Sequence, residues 1–254
     1  MDVSPKLVIG NWKMNGLREQ TVQLATAVAE GACSLPDDVK LVICPPFTQL
    51  ERVSDILETA GPDPKLQLGA QDCHTASSGA HTGEISADML ADVGVKYVLL
   101  GHSERRQNCG ETDALIRRKV QAAEAAGLVP VVCIGETMAE RQEGRAATVL
   151  ASQIDGSLTD NFSGVLAYEP VWAIGSGVTP SRDELERTLF LLRGLLQSRL
   201  KMDDIRVPIL YGGSVTPAQA PTIFSIGVLG GVLVGSASLD AKSFLRIAEA
   251  ASLR

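Results

Sequence analysis

A chain of 254 residues, 45% hydrophobic and 21% charged, carries enough apolar material to bury a sizeable core. Its formal charge of −7 argues against nucleic acid as a partner, because a phosphate backbone calls for a basic surface. No apolar run approaches the ~20 residues a membrane helix needs, and the opening MDVSPKLVIG has neither the basic n-region nor the long apolar stretch of a secretory signal.

Along the chain, short β-rich apolar runs recur: KLVIGN (6–11), VKLVIC (39–44), LQLGAQ (66–71), KYVLLG (96–101), LVPVVCI (128–134), GVLAYE (164–169), VPILYGG (207–213) and GVLVGS (231–236). Each is almost continuously apolar, as parallel strands covered on both faces are. Helical segments lie between them, among them 18–31, 49–59, 113–126, 181–199 and 241–253. Thr48 with Glu51 and Ser181 with Glu184 fit capping boxes, and Thr216-Pro217 fits an N-cap followed by proline at the first helical position. Eight strands alternating with helices over this length predict an α/β fold, a single (β/α)8 barrel spanning 1–254. A doubly wound open sheet is the rival, but it normally places a glycine-rich turn after its first strand, whereas this strand runs into NWKMN.

Five cysteines (Cys33, Cys44, Cys73, Cys109, Cys133) form no CxxC pair and are odd in number, which argues against a zinc site or a disulfide framework. Cys44 and Cys133 end apolar runs and read as buried thiols. The expected setting is cytoplasmic, with no metal and no cofactor.

In such a barrel, chemistry sits at the carboxyl ends of the strands and phosphate after strands 7 and 8. The residues that end each run are therefore informative. Strand 1 gives Asn11, Trp12 and Lys13; strand 4 gives His102, Ser103 and Glu104; strand 6 gives Glu169; strands 7 and 8 give Gly212-Gly213-Ser214 and Gly235-Ser236. Singly these have bland readings: a solvated lysine, a structural histidine, a tight turn, a helix start with paired ions. Together at one rim they describe a site. Glycine turns let backbone N–H groups approach an anion, and a helix N-terminus adds a favourable dipole, so a phosphate monoester suits the turns after strands 7 and 8.

The motifs GNWKMN (10–15), GAHTGEIS (79–86), GHSERR (101–106), CIGET (133–137), YEPVWAIG (168–175), YGGSV (211–215) and LVGSASL (233–239) occur in order with barrel spacing. On these the sequence resembles the triosephosphate isomerase family over nearly its whole length. The resemblance implies a TIM barrel that interconverts dihydroxyacetone phosphate and D-glyceraldehyde 3-phosphate through an enediol(ate), in glycolysis and gluconeogenesis. By the same resemblance, Glu169 is the base, His102 a neutral electrophile, Lys13 the substrate-binding cation, Asn11 its polar support and Glu104 a residue that orders Lys13. The family is itself the standard example of such paired acid–base tuning and of lid closure. Phosphate would rest on N–H groups of Gly175, Ser214, Gly235 and Ser236. Pro170, Val171 and Trp172 read as the first hinge of a lid, Ala173, Ile174, Gly175, Ser176 and Gly177 as its tip, and Val178, Thr179 and Pro180 as the second hinge.

The sequence departs from the family pattern in places. Val178 stands where many members carry lysine and Pro180 where a small residue is common, which implies a stiffer second hinge. Ser236 replaces a glycine often found there. The polar loop 71–86 implies a homodimer, with Thr82 against the twin's Asn11–Lys13 rim and Glu84 paired with Arg105 across the interface. His74 and His81 read as surface or interface residues of the same loop. Alternatives are an isomerase of tetrulose (erythrulose) phosphate on the same barrel, a Schiff-base aldolase using Lys13, and a non-catalytic phosphate-binding barrel. Retention of Lys13, His102 and Glu169 together disfavours the last.

Overall fold

The apolar runs become strands β1 (Lys6–Asn11), β2 (Val39–Cys44), β3 (Leu66–Ala70), β4 (Tyr97–Leu100), β5 (Val129–Ile134), β6 (Val165–Tyr168), β7 (Ile209–Tyr211) and β8 (Gly231–Val234). These come from a computed structural model describing residues 5–61, 65–174, 179–201 and 207–252. Each strand pairs in parallel with its sequence neighbour, and β1 also pairs with β8, with Leu7 opposite Gly231 and Gly10 opposite Val234, which closes the barrel.

Side chains alternate strictly along the strands. Leu7 and Ile9 of β1, Val42 and Cys44 of β2, Leu99, Val131 and Cys133, Val165 and Ala167, Leu210 and Leu233 pack together in the lumen. Their neighbours, such as Val8, Leu41, Ile43, Val132 and Leu166, face outward and belong to a separate cluster with the helices. Both faces are dry, so neither shows the polar alternation of a half-exposed strand. Full burial of each such valine, leucine or isoleucine stabilises the barrel by about 1.5–3 kcal/mol.

The surrounding helices are α1 (Arg18–Ala32), α2 (Leu50–Thr59), α3 (Ala87–Asp92), α4 (Ser103–Asn108), α5 (Asp113–Ala125), α6 (Met138–Gln142), α7 (Ala146–Ser157), α8 (Arg182–Leu200), α9 (Ala220–Phe224) and α10 (Ala241–Ala250). The Ser181–Glu184 box caps α8, with Glu184 Oε2 accepting from the Ser181 N–H at 2.9 Å. The Thr48–Glu51 box is absent. Pro45-Pro46 delivers the chain into a 3₁₀ turn, Phe47–Gln49, so α2 begins after Gln49 with no side-chain cap. Thr216 does accept a hydrogen bond from the Gln219 N–H, at 3.4 Å, but it caps only a turn; α9 starts at Ala220. Caps not foreseen include Ser86 on α3, Thr112 on α5, Asp240 on α10 and a Thr137–Glu140 box on α6.

Loop 71–86 folds back on itself: the His74 N–H donates to the Ile85 carbonyl at 2.7 Å, and the His74 and His81 rings lie 4.3 Å apart. At its start, Asp72 joins a group of four charges, three of them buried. Lys119 Nζ reaches Asp72 Oδ1 at 2.7 Å and Glu111 Oε1 at 2.5 Å, while Arg105 pairs with the same two acids at 2.7 and 2.8 Å. Burial and the nearby Glu111 charge lift the Asp72 carboxyl above its ordinary value despite Lys119. Burial pushes Glu111 the same way, but Lys119 and Arg105 prevail and hold it low. Removing one partner from such a group strands a buried charge. Lys119→Met is accordingly expected to cost about 3–5 kcal/mol in urea unfolding. A loss below about 1 kcal/mol would mean that Arg105 alone suffices.

Candidate active site

The lumen register carries straight on into polar residues. After Leu7 and Ile9 the same two-residue period brings Asn11 and Lys13; after Val165 and Ala167 it brings Glu169. All three, with His102, line a cavity of about 600 Å³ at the carboxyl end of the barrel.

Lys13 takes φ +52°, a left-handed conformation that side-chain-bearing residues avoid. Three hydrogen bonds hold its segment there. The Lys13 N–H donates to Asn11 Oδ1 at 3.0 Å, Asn15 Nδ2 donates to the Trp12 carbonyl at 2.7 Å, and Gln71 Nε2 donates to the Lys13 carbonyl at 2.8 Å. Lys13 Nζ lies 2.6 Å from Glu104 Oε1. Both groups are partly exposed, so the pair is weakly held and open to exchange for a substrate anion.

Glu169 is 2% exposed. Its Oε1 lies 3.0 Å from His102 Nε2, and its Oε2 accepts from the Ser103 N–H at 3.0 Å. Burial would raise the carboxyl pKa, but interaction with the His102 ring, the Ser103 N–H and the Lys13 charge hold it below the ordinary 4.5. Burial opposes charge on His102, yet the adjacent Glu169 carboxylate prevails and lifts the ring above its ordinary value. Geometry limits what that lift can do. His102 is the N-cap of α4, and its Nδ1 accepts from the Glu104 N–H at 3.3 Å. Nε2 thus carries the ring proton toward Glu169; a second proton on Nδ1 would face another N–H, against the pull of Glu104 Oε2 at 3.6 Å.

Across the cavity lie Gly212, Gly213, Ser214, Gly235 and Ser236. Among the described residues, the N–H groups of Ser214 and Ser236 meet no protein acceptor. Ser236 opens a 3₁₀ turn to Leu239, so its N–H is one a helical turn leaves free. Gly212 must be glycine for space: a Cβ there would sit 2.9 Å from Glu169 Cγ.

After Glu169, Pro170 leads into a 3₁₀ turn, Val171–Ala173. Trp172 Nε1 donates to Glu136 Oε1 at 2.9 Å, and Tyr168 Oη donates to the same oxygen at 3.0 Å. Arg141 stacks over the Trp172 ring at 4.6 Å. Ile174 lines the cavity, and Thr179 and Pro180 line a smaller one beside Tyr211. Gly175, Ser176, Gly177 and Val178 lie outside the described residues. Thr82 and Glu84 are exposed on loop 71–86, and Arg105 is engaged by Asp72 and Glu111 of its own chain.

Two site residues are not singled out by the sequence pattern. Glu136, 0% exposed, follows β5 as Glu169 follows β6, and that parallel in CIGET was the available signal. Gln71 ends the third apolar run and ties the Lys13 carbonyl to that of Cys44, at 2.8 and 2.9 Å. Among the described residues, no three His, Cys, Asp or Glu side chains are grouped to hold a metal ion.

A buried carboxylate in contact with an imidazole, opposite a lysine and free N–H groups, on the rim of a closed parallel barrel, defines an acid–base enzyme for phosphorylated small molecules. A triosephosphate isomerase family profile matches residues 6–251. The triosephosphate isomerase of Gluconacetobacter diazotrophicus is 50% identical over 246 residues, 97% of this chain and 98% of the relative. That of Afipia carboxidovorans is 49% identical over 247 residues, 96% of each chain. The crystal structure of triosephosphate isomerase from Bartonella henselae superposes with a TM-score of 0.87 at 38% identity, covering 96% of this chain and 98% of that one. The chain belongs to the triosephosphate isomerase family, whose members are isomerases.

Proposed function

We propose that this chain, acting as one barrel domain, interconverts dihydroxyacetone phosphate and D-glyceraldehyde 3-phosphate with Glu169, His102 and Lys13 as its working groups. The observation that carries the assignment is the Glu169–His102 contact of 3.0 Å beneath a cavity that also holds Lys13. Glu169 takes the carbon-bound proton, the C–H electron pair becomes the C=C bond of an enediol(ate), and the former carbonyl oxygen gains negative charge. His102 supplies its Nε2 proton to that oxygen and recovers one from the neighbouring hydroxyl. Glu169 then returns its proton to the other carbon, so atoms and charge balance.

To work, Glu169 has to exchange its bonds to Ser103 and His102 for substrate. That exchange removes the nearer of the two carboxylates that lift the His102 pKa, while Nδ1 keeps its bond from the Glu104 N–H, which favours a neutral ring facing substrate. Lys13 turns from Glu104 to the substrate with Asn11 fixing its backbone, and the phosphate rests on Ser214, Gly235 and Ser236, with Gly175 joining from the lid. Glu136 holds Trp172, so the first hinge of the proposed lid starts from a fixed point. Closure keeps the enediolate phosphate from water, and phosphate binding energy helps to assemble the site.

A homodimer accords with Met14 and Leu17, 96% and 75% exposed beside Lys13, and with the exposed Thr82 and Glu84. A cytoplasmic setting accords with five free thiols. Among the described residues no helix is long and apolar enough to cross a membrane. The test is turnover of D-glyceraldehyde 3-phosphate against tetrulose phosphates, on protein sized by sedimentation. Fast triose turnover by a dimer is expected. Faster tetrulose turnover would keep the chemistry and overturn the substrate, and a fully active monomer would overturn the dimer.

A further inference from the structure

Arg141, on α6, is linked to both ends of the stretch 170–180. On one side its guanidinium lies over the Trp172 ring, 4.6 Å from the centroid, with Nη1 3.6 Å from Glu136 Oε1. On the other, Nη2 reaches Glu184 Oε1 at 2.9 Å. The second oxygen of Glu184 accepts from the N–H and the hydroxyl of Ser181, at 2.9 and 2.8 Å, and Ser181 directly follows Pro180. One side chain from a third element thus joins Trp172, in the first hinge, to the cap that begins where the second hinge ends. Neutralising Glu136 alone would need only a positive charge, which lysine supplies as well. Lying flat on an indole while reaching a second carboxylate needs a planar fork with donors on separate nitrogens, which is what arginine has.

Granted the lid proposed above, we infer that Arg141 is a positioning residue that ties its two hinges together, so that both ends seat as one. Arg141 and Glu184 are 29% and 39% exposed, so their link is weak by itself, and the clasp can yield and re-form as the lid moves. Loss of the clasp leaves the fold standing and lets the lid seat in more than one way. The enediolate phosphate then has time for a side reaction. Its oxyanion re-forms a carbonyl, the C=C bond moves one carbon along, and the C–O bond breaks with its electron pair leaving on phosphate. Inorganic phosphate released per isomerisation therefore reads how well the lid seats. Partial unfolding lowers kcat but leaves that ratio unchanged.

Arg141→Lys keeps the charge beside Glu136 and loses the fork. Glu184→Gln keeps an oxygen for the Ser181 cap and loses the ion pair. Each is expected to raise the phosphate ratio and lower kcat/KM roughly three- to tenfold, the scale of one partly exposed ion pair and one cation–π contact. The double variant should be no worse than the stronger single, since both break one link. Glu186→Gln, which breaks a pair with Arg182 on the same helix, should change neither. In ¹⁵N-labelled protein, with the two indole signals assigned through Trp172→Phe, Glu184→Gln should shift the Trp172 signal and leave Trp12 still. An unchanged ratio in Arg141→Lys, effects that multiply in the double variant, or a Trp172 signal unmoved by Glu184→Gln would each overturn the clasp. A wild type without triose phosphate turnover would overturn the functional reading instead, and the Trp172 signal would still decide for or against Arg141.

Discussion

Glu169→Gln is expected to lower kcat by about 10²–10⁴-fold, the range a positioned base supplies, with KM changed little. The amide keeps the size of the carboxylate and an oxygen for the Ser103 N–H; its NH2 meets the His102 Nε2–H, a mismatch confined to the rim that leaves the barrel packing intact. Among the other cavity walls the remaining carboxylate is Glu104, which is committed to Lys13 and exposed. A variant within tenfold of wild type would place the base elsewhere. Stability carries a second signature. A carboxyl whose folded pKa lies below 4.5 binds its proton more weakly folded than unfolded. Its contribution to stability is therefore complete above the unfolded pKa and is lost as pH falls through the folded one. Urea midpoints of wild type and Glu169→Gln should converge as pH falls below 4.5. Parallel curves across that window would show that Glu169 is not held low.

Lys13→Gly is expected to separate activity from stability. The lysine is strained at φ +52°, at a cost of about 1–2 kcal/mol, which glycine does not incur. Glycine instead loses about 0.5–1 kcal/mol through the entropy of the unfolded chain. The exposed pair with Glu104 adds at most about 1 kcal/mol. Folding stability should therefore stay within about 1 kcal/mol of wild type. Activity should not: removing one preorganised group that faces developing negative charge costs about 10²–10³-fold, and the lysine also binds the ground state. A kcat/KM near wild type would remove Lys13 from the mechanism. A marked drop in melting temperature would show that its charge, not its backbone, holds the β1–α1 loop.

The strands were legible to within two residues at each end because both of their faces are dry, and a sheet buried twice writes itself as unbroken apolar runs. Helix starts were less so. Thr48 and Glu51 have the spacing of a capping box, but two prolines upstream force a turn that uses those residues before the helix begins. At the rim, Lys13, His102 and Glu169 stood out because each interrupts or ends an apolar run. Ser103 acts through its N–H, which no residue type announces, and Glu136 acts only because the fold buries it beside Trp172 and Tyr168. The four charges that meet at the start of loop 71–86 come from separate segments, and in RRKVQAAEA the buried Lys119 looks like any solvated lysine.

The two-residue file Val165, Ala167, Glu169 has a consequence for how this chain can vary. Besides its contacts with Ser103 and His102, the reacting carboxylate is the top member of the same file that fills the lumen. A swap lower in that file that folding tolerates, at under about 1.5 kcal/mol, still shifts the groups above it. Proton transfer is far less forgiving, since a displacement of about 1 Å is worth on the order of 10²-fold in rate. Selection for turnover therefore reaches down into the barrel interior, and the lumen is kept by the speed of the reaction well before it is kept by the need to stay folded.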